Sequence, residues 1–427
     1  MPPYARDGLI GRMSQADTHR AIEAVWRLEA PRLVAALIRV VRDFDLAEEL
    51  AQDALVAALE RWPGAGVPDN PGAWLMTAAK RRGIDLLRHR QLVERKHAML
   101  DGDGEAFSMP NLDALDDDIG DDLLRLIFTA CHPALSTEAQ VALTLRLLGG
   151  LTTGEIARAF LASEPTIAQR IVRAKRTLAD RRVPFEVPRG EALDERLAAV
   201  LGVIYLVFNE GYTATAGDDW MRPALCEEAL RLGRTLAGLM PREPEVLGLL
   251  ALMEIQASRS HARVGADGRP VLLLEQNRAR WDQLLIHRGL DALERAGKLG
   301  GALGPYALQA AIAACHARAA TAAATDWPRI AALYATLARI APSPVVELNR
   351  AVAVAMADGP AAGLVLVDAL RGEPSLASYH LLPAVRGDLL ARLGRTDEAR
   401  TEFERAAGLT LNTQERNVML ERAAACG

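Results

Sequence analysis

The sequence predicts an all-α fold in which two small helical domains, the second with a helix-turn-helix, are joined by an acidic linker and followed by a long helical-repeat domain. Three observations support this prediction. The chain is 50% hydrophobic but only 4% aromatic, and it is crowded with Ala, Leu, Arg and Glu, which favour helices over strands. Charge alternates strongly between segments of the first half. Pro and Gly interrupt the helical pattern at regular intervals through the second half.

Composition excludes several classes of protein. The 50 basic and 55 acidic residues give a net charge of −5, so the chain is not a uniformly basic nucleic-acid binder. The four cysteines, Cys131, Cys226, Cys315 and Cys426, lie far apart without a CxxC pair, which argues against a disulfide framework or a structural zinc site. The longest apolar run, residues 197–208, is too short to cross a bilayer and predicts a buried helix.

No catalytic set is visible in the sequence. The eight histidines do not pair with cysteines or carboxylates at metal-ligand spacing. The segment LGGLTTGE lacks the Lys-Ser/Thr ending of a phosphate-binding loop. We therefore expect no enzyme activity, no cofactor and no metal.

Charge divides the first half of the chain into a basic, an acidic and a second basic segment. Residues 74–97 hold seven Lys/Arg against two acids, and residues 101–122 hold nine Asp/Glu and no Lys/Arg. Residues 152–182 again hold seven Lys/Arg, against three acids. The acidic stretch also contains glycines and a proline, and it cannot bury much, so it is predicted to be a linker. Two basic segments joined by an acidic spacer favour two contacts with one nucleic acid.

The first basic segment follows an acidic helix. In residues 43–62 the apolar positions share one face, whereas an exposed acidic face is formed by Asp45, Glu48, Glu49, Gln52 and Asp53. A second helix follows, with Asn70 as its N-cap candidate and Pro71 at its first position. Its basic side carries Lys80, Arg81 and Arg88. Alone, each charged face is also compatible with an ordinary solvated helix surface.

The clearest local sequence pattern is that of a helix-turn-helix in residues 151–180. Thr152 or Thr153 can cap its first helix, and Ser163 can cap its second, with Pro165 tolerated in the first turn. Leu161 occupies the turn position that is Gly in many such units. The second helix is predicted to bury Ile167, Ile171, Ala174 and Leu178. Its polar side chains, which suit reading of the major groove, are Thr166, Gln169, Arg170, Arg173, Lys175 and Arg176.

The order of three motifs resembles an extracytoplasmic-function (ECF) sigma factor of the sigma-70 family. The motifs are DLAEELAQDA, then PGAWLMTAAKRRGIDLLRHR, then, after the acidic linker, EIARAFLASEPTIAQRIVRAKRTL. The resemblance covers about residues 14–183. It implies sigma region 2 at residues 14–97, a linker at 98–122 and sigma region 4 at 123–183. It further implies a cytoplasmic, nucleoid-associated bacterial protein that binds core RNA polymerase and promoter DNA, with no membrane partner.

The resemblance also implies roles for individual residues. The acidic face of Asp45, Glu48, Glu49, Gln52 and Asp53 is expected to bind the clamp helices of the largest polymerase subunit. The −10 promoter element is expected to meet Lys80, Arg81, Arg82, Asp85 and Arg88. The −35 element is expected to meet Thr166, Gln169, Arg170, Arg173, Lys175 and Arg176.

The second half, residues 190–427, exceeds what promoter recognition needs. Residues 386–409 look like a tetratricopeptide unit, with Ala399, Phe403 and Ala406 in the second helix. The whole segment resembles the extension of one ECF subgroup and is expected to be a regulatory domain that a protein or small-molecule regulator could bind. A ligand pocket around Glu210, Tyr212, Asp218 and Trp220 is one interpretation of the block FNEGYTATAGDDW; a loop packed by its own aromatic residues is the favoured one.

Two other functions are compatible with parts of the sequence. A helix-turn-helix regulator that does not engage core polymerase directly would need only residues 151–180 and would leave the acidic face without a role. A tetratricopeptide adaptor would use only the second half of the chain.

Overall fold

A computed structural model describes residues 15–101, 119–265 and 269–426, and helices dominate all three ranges. The contacts divide the chain into two units. The first unit comprises Met1–Ala157 and Ser163–Val200, and the second comprises Arg158–Ala162 and Leu201–Gly427. The predicted all-α fold is confirmed for the described residues. The two β-strands found among them are only two residues long each.

The first unit contains the helices that carry the charged faces. They are α1 Gln15–Val41, α2 Phe44–Ala65, α3 Pro71–Asp101, α4 Ile119–Ala130, α5 Thr137–Leu147 and α7 Glu164–Asp180, together with α6 Thr153–Ala159, whose last two residues belong to the second unit. Helix α8, Glu191–Tyr212, begins in this unit and ends in the second. The apolar face of α1 packs against both α2 and α4, so the helices on either side of the acidic linker share one core.

Helices α2 and α3 pack through aromatic side chains. Trp62 near the end of α2 is buried, and its ring meets that of Trp74 on α3 edge to face, with 5.3 Å between the ring centroids. Leu75 and Ala79 of α3 are also buried. This contact turns the apolar sides of both helices inward and leaves their charged sides toward solvent.

The acidic linker is partly helical at its C-terminal end. Most of residues 98–122 lies outside the described residues, but α4 begins at Ile119, and Asp122 is fully buried within it. The sequence predicted that this stretch buries little. Asp122 departs from that prediction because Arg39 and Arg125 both bind its carboxylate, and this pairing offsets the cost of burying the charge.

The second unit is a succession of helices that pack on their neighbours in sequence. They are the end of α8, then α9 Pro223–Leu239, α10 Pro244–Ala257, α11 Gln283–Lys298, α12 Pro305–Arg318, α13 Trp327–Ile340, α14 Pro344–Asp358, α15 Pro360–Ala369, α16 Leu381–Arg392, α17 Thr396–Leu409 and α18 Thr413–Ala424. Short 3-10 helices occupy Ser260–Ala262, Arg278–Arg280 and Pro374–Leu376. Ala399, Phe403 and Ala406, which were predicted to lie in the second helix of a tetratricopeptide unit, lie on α17 and are buried.

A parallel strand pair joins the start of this unit to its end. Strand β1, Ala216–Gly217, pairs with β2, Leu411–Asn412. The buried side chain of Asn412 donates hydrogen bonds to the carbonyl oxygens of Ala214 and Asp219, at 3.0 and 2.8 Å, and accepts two from backbone amides at the start of α18. One side chain therefore holds the loop after α8 and also caps α18.

Candidate nucleic-acid interface

The acidic face of α2 forms because its first turn is capped and its apolar face is buried. The Asp43 carboxylate accepts hydrogen bonds from the amides of residues 45 and 46, at 2.9 and 3.0 Å. Leu46, Leu50 and Ala54 are buried on the opposite face. The predicted polymerase-binding residues therefore point away from this core: Asp45, Glu49 and Gln52 are exposed, and Glu48 and Asp53 are half-buried.

The basic face of α3 lies on the outer side of the same helix pair. The predicted cap is confirmed, because the amide of Ala73 donates to the Asn70 side chain at 3.1 Å. The predicted −10 residues Arg81, Arg82, Asp85 and Arg88 are exposed, and Lys80 is half-buried. Arg82 Nε donates to a carboxylate oxygen of Asp53 at 2.7 Å, and this ion pair raises the pKa of the guanidinium. A predicted DNA-binding residue thus contacts a predicted polymerase-binding residue.

The predicted helix-turn-helix is confirmed, including both of its caps. The Thr152 hydroxyl accepts from the amide of Glu155, and the Glu155 carboxylate accepts in return from the amide of Thr152, which is a capping box at the start of α6. Ser163 caps α7. The predicted stripe of Ile167, Ile171, Ala174 and Leu178 is buried. Leu161 takes the left-handed backbone conformation, with φ 49°, that the turn requires.

The polar face of α7 lines a groove of about 400 Å³ together with the start of α5. Thr166, Gln169 and Arg173 are exposed, and Arg170 is half-buried. On the other wall the Ser136 hydroxyl caps α5, and Glu138 lies in its first turn. A hydrogen bond from its own backbone amide contributes most to lowering the pKa of Glu138, and the Ser136 hydroxyl and the nearby Arg170 lower it further. The groove therefore presents hydrogen-bonding and cationic groups of α7 beside one carboxylate.

The side chain of Lys175 is mostly covered, unlike the exposed polar side chains of α7. Its side chain is only 12% exposed, because its ammonium group donates to Glu48 and, at 2.8 Å, to Asp45 of α2. The second oxygen of Glu48 accepts from Arg146 Nε of α5 at 3.1 Å. We call Asp45, Glu48, Arg146 and Lys175 the α2–α7 ion cluster. It joins a predicted −35 residue to two predicted polymerase-binding residues.

Sequence patterns did not reveal the part that Arg146 plays in this cluster. It lies 98 positions from Glu48, and helical periodicity places it only on the less buried side of α5. Arg39, which binds Asp122 across 83 positions, was missed for the same reason. Pairings at such separations depend on tertiary packing, to which a single sequence gives no direct signal.

The block at the end of α8 is packed by its own side chains. Glu210 forms an ion pair with Arg222 and accepts from the Thr215 hydroxyl at 2.8 Å. The guanidinium of Arg263 lies 3.6 Å from the centre of the Tyr212 ring and 5.2 Å from that of Trp220. The favoured interpretation of this block as a packed loop agrees with these contacts. Asp218, the remaining residue of the alternative pocket, accepts from the Thr413 hydroxyl at 2.8 Å.

Residues 158–162, which contain the turn of the helix-turn-helix, belong to the second unit. Arg222 Nη1 donates to the carbonyl oxygen of Ala159 at 2.6 Å. A side chain at Gly217 would meet the Leu161 side chain at 3.2 Å, so the two residues are in close contact. The Leu161 side chain therefore borders Gly217, although the residue is 59% exposed and a Gly would fit the left-handed turn with less strain.

Within residues 15–101, 119–265 and 269–426, no group of three or more His, Cys, Asp or Glu side chains is placed to hold a metal ion. No helix of this described part is long and apolar enough to span a bilayer.

Known protein families match the part of the chain that carries α2 and α3 and the part that carries the helix-turn-helix. The family Sigma-70 region 2 matches residues 25–93, and Sigma-70, region 4 matches residues 125–178. A family of unknown function, DUF6596, matches residues 196–297. The first match contains α2 and most of α3, and the second contains α5, α6 and most of α7. No solved structure matches the chain.

Individual relatives agree with these matches. An uncharacterized protein of Rhizobium meliloti (strain 1021) is 46% identical over 389 residues, which cover 90% of this chain and 91% of that protein. The ECF RNA polymerase sigma factor SigK of Mycobacterium bovis (strain BCG / Pasteur 1173P2) is 28% identical over 180 residues, covering 40% of this chain and 90% of its own length. Since both sigma-70 regions are matched in order, and proteins named as ECF sigma factors align along nearly their whole length, this chain belongs to the sigma-70 family and is an RNA polymerase sigma factor of the ECF type.

Proposed function

We propose that this sigma factor binds core RNA polymerase through α2, contacts the −10 and −35 elements of promoters through α3 and α7, and is controlled by its C-terminal extension. The observation that carries the proposal is the division of each matched region into a buried apolar face and an exposed charged face. Sigma-70 factors are non-catalytic initiation factors, so the surfaces of this chain are expected to bind partners and not to convert a substrate.

The acidic face of α2 is proposed as the polymerase-binding surface, with the clamp helices of the largest subunit as its partner. It presents carboxylates from successive turns on one side of a capped, well-packed helix. A row of carboxylates on a rigid helix suits a basic helical partner, because complementary charge increases the association rate and fixes the orientation of the complex. The same carboxylates would be repelled by DNA.

Helix α3 is proposed to contact the −10 element, and α7 the −35 element. The exposed arginines of α3 would bind phosphates and support bases that are exposed as the duplex opens. On α7, Gln169 suits adenine and Arg173 suits guanine, because each of these side chains can form two hydrogen bonds with the major-groove edge of that base. The groove beside α5 leaves room around both side chains.

The extension is proposed to act as a tetratricopeptide-like regulatory domain. Its helices pack on their sequence neighbours, as in α16 and α17, which is typical of repeat proteins that bind a partner on one surface. A protein or a small molecule would be the regulator. We place the protein in the cytoplasm, associated with the nucleoid, because both proposed partners are found there.

Reconstitution with purified bacterial core polymerase tests the proposed function. The full chain is expected to form a holoenzyme and to direct start-site-specific transcription from genomic fragments. Changing Glu49→Lys and Gln52→Ala should abolish holoenzyme formation, whereas Gln169→Ala with Arg173→Ala should preserve it and abolish specific starts. Asp397→Lys, at a position whose side chain is 95% exposed in the second unit, provides a charge-matched control. Promoter binding by the chain alone, without any holoenzyme, would support the helix-turn-helix regulator instead.

A further inference from the structure

A cavity of about 650 Å³ lies within the second unit, beside α9, α10 and α11. Its lining comes from residues 219–230 on one side and from residues 257–265 and 280–285 on the other. These residues all belong to the part of the chain that the family of unknown function matches. A volume of this size is ordinary for a small-molecule site, and neither proposed binding surface of the sigma regions uses it.

Apolar side chains form most of the cavity wall, among them Trp220, Met221 and Leu285. Trp220 is held in place by Arg263, whose guanidinium lies 5.2 Å from the centre of the indole ring and donates to the Thr213 hydroxyl at 2.8 Å. The wall is therefore formed before any ligand arrives, and an apolar ligand body can contact it without the cost of ordering the loop.

Four ionisable residues line the same cavity, and all four are exposed. Asp219 and Glu227 come from the first side, whereas His261 and Arg280 come from the second. Within the part of the chain that the structure describes, none of the four forms an ion pair. Opposite charges that line one cavity without pairing are kept apart by it, so they stay available to a ligand that carries both signs of charge.

The basic side of the cavity is presented by an anchored segment. Arg278, in the same 3-10 helix as Arg280, is buried, and its Nη1 donates to the carbonyl oxygens of His316 and Ala319, both at 2.6 Å. These bonds fix the 3-10 helix on the end of α12 and leave Arg280 exposed at its last position. An arginine held in this way suits a carboxylate, which it can bind through two parallel hydrogen bonds.

We propose that this cavity binds a small zwitterionic peptide with apolar side chains, of the class of unblocked dipeptides. The peptide carboxylate would bind Arg280, and its ammonium group would bind Asp219 and Glu227. The apolar side chains would lie against Trp220 and Leu285. The inference deepens the proposed control of the extension by a small molecule, and only this regulatory meaning rests on the proposed function.

Other small ligands fit these residues less well. A free amino acid carries both charges on one carbon, so it cannot reach the acidic and the basic side together. A nucleotide or another phosphate ester would be repelled by the two carboxylates, and one arginine would not offset that repulsion. A purely apolar ligand would leave all four ionisable side chains without a partner.

Calorimetric titration of the full chain with leucyl-leucine tests the inference, with the amide and the N-acetyl derivative of the same dipeptide as blocked probes. Wild type is expected to bind leucyl-leucine with a Kd on the order of 0.1 mM, which is ordinary for a ligand of this size. Arg280→Gln should weaken binding of leucyl-leucine about tenfold and leave binding of the amide unchanged, because the amide has no carboxylate to lose.

The acidic side is tested in the same way. Glu227→Gln should weaken binding of leucyl-leucine and of its amide about threefold, since Asp219 keeps its charge, and should leave binding of the N-acetyl derivative unchanged. Arg242→Gln and Glu404→Gln, at exposed positions of the second unit outside the cavity, are matched controls and should not alter any of the three affinities. Thermal unfolding of each variant verifies that it folds.

Three outcomes would overturn the inference. One is the absence of binding by all three probes, and another is equal affinity for the three, which would mean that the apolar wall alone holds them. The third is equal weakening of leucyl-leucine and its amide by Arg280→Gln, or tighter binding of free leucine than of the dipeptide. Because the titrations use the chain without polymerase, their failure is distinct from a failure to form holoenzyme, which would overturn the proposed function instead.

Discussion

Arg39 of α1 and Asp122 of α4, 83 positions apart, form an ion pair in which the carboxylate is fully buried. Arg125 completes the site from the next turn of α4. Burial raises the pKa of the Asp122 carboxyl, and the two guanidinium groups act in the opposite direction. The pairing explains how an acidic residue at the end of a predicted linker becomes part of a folded core.

Removal of this carboxylate is expected to destabilise the first unit strongly. Asp122→Ala removes the buried carboxylate that two guanidinium groups bind, each about three-quarters buried, so we expect a loss of roughly 3 kcal/mol in the free energy of unfolding. Urea denaturation measures the loss. Asp180→Ala removes an exposed carboxylate 3.5 Å from Arg176 and should cost less than about 1 kcal/mol. Equal losses in the two variants would contradict the importance of burial.

Two glycine positions in the second unit are expected to respond in opposite directions. A Cβ at Gly211 would lie 2.5 Å from the backbone nitrogen of Cys226, so Gly211→Ala must separate α8 from α9 and should cost about 2 kcal/mol or more. Gly238 lies within α9 with nothing in contact distance, so Gly238→Ala should stabilise by about 0.5–1 kcal/mol through helix propensity. Thermal unfolding of both variants checks the pair. Stabilisation by Gly211→Ala would disprove the close helix approach.

Stability is expected to fall as the pH falls from 6.5 toward 4 because of His316. Burial lowers the pKa of this imidazole from 6.5 to about 4, so between these values the unfolded chain binds a proton that the folded chain does not. At pH 5 this difference amounts to about 2 kcal/mol of lost stability relative to neutral pH. His316→Phe keeps a ring beside Trp327, 5.2 Å away between centroids, and removes the titration. Denaturation at pH 7.5 and 5 should therefore show that the variant loses less free energy of unfolding at the lower pH than wild type does. Equal losses in the two proteins would exclude His316 as the source.

Side chains of α7 that read bases and those that bind phosphates are expected to affect DNA binding differently: loss of the first should change the sequence preference, and loss of the second should change the salt dependence. Arg173→Ala should reduce holoenzyme affinity for a cognate −35 element about 10- to 100-fold and relax the preference at one base pair. Arg176, whose side chain is 81% exposed, is expected to bind phosphate. Arg176→Ala should weaken binding similarly for all sequences and reduce the salt dependence by about one unit of slope. Competition binding of each variant holoenzyme with DNA fragments that carry altered −35 elements, at two salt concentrations, distinguishes the two effects. Uniform weakening by Arg173→Ala would contradict its proposed role.

Features that depend on neighbouring residues could be predicted from the sequence. The caps at Asn70, Thr152 and Ser163 involve side chains and amides within three positions, so their residue types alone identify them. The buried stripe of α7 follows from helical periodicity in the same way. The left-handed turn at Leu161 was visible only as an unusual residue, because the contact with Gly217 that accompanies it lies far along the chain.

Features that depend on distant pairings could not be predicted. The exposed acidic face of α2 was correctly identified for Asp45 and Glu49, but Glu48 is covered by Lys175 from 127 positions away. Sigma region 4 was predicted to end at residue 183, which lies between α7 and α8, whereas the first unit extends to Val200. Arg196 explains the difference: it donates to the carbonyl oxygen of Phe128 at 2.7 Å and so ties the start of α8 to the first unit.

The short β1–β2 pair changes how the second unit should lose its structure. A linear array of helix pairs can fray from its last repeat inward, with each loss leaving the earlier repeats intact. Here the residues before α18 are hydrogen-bonded to the loop that follows α8, and Asn412 serves both. Shortening the chain at its C-terminus would therefore loosen the opening segment of the extension as well, and the two ends are expected to melt as a single cooperative event.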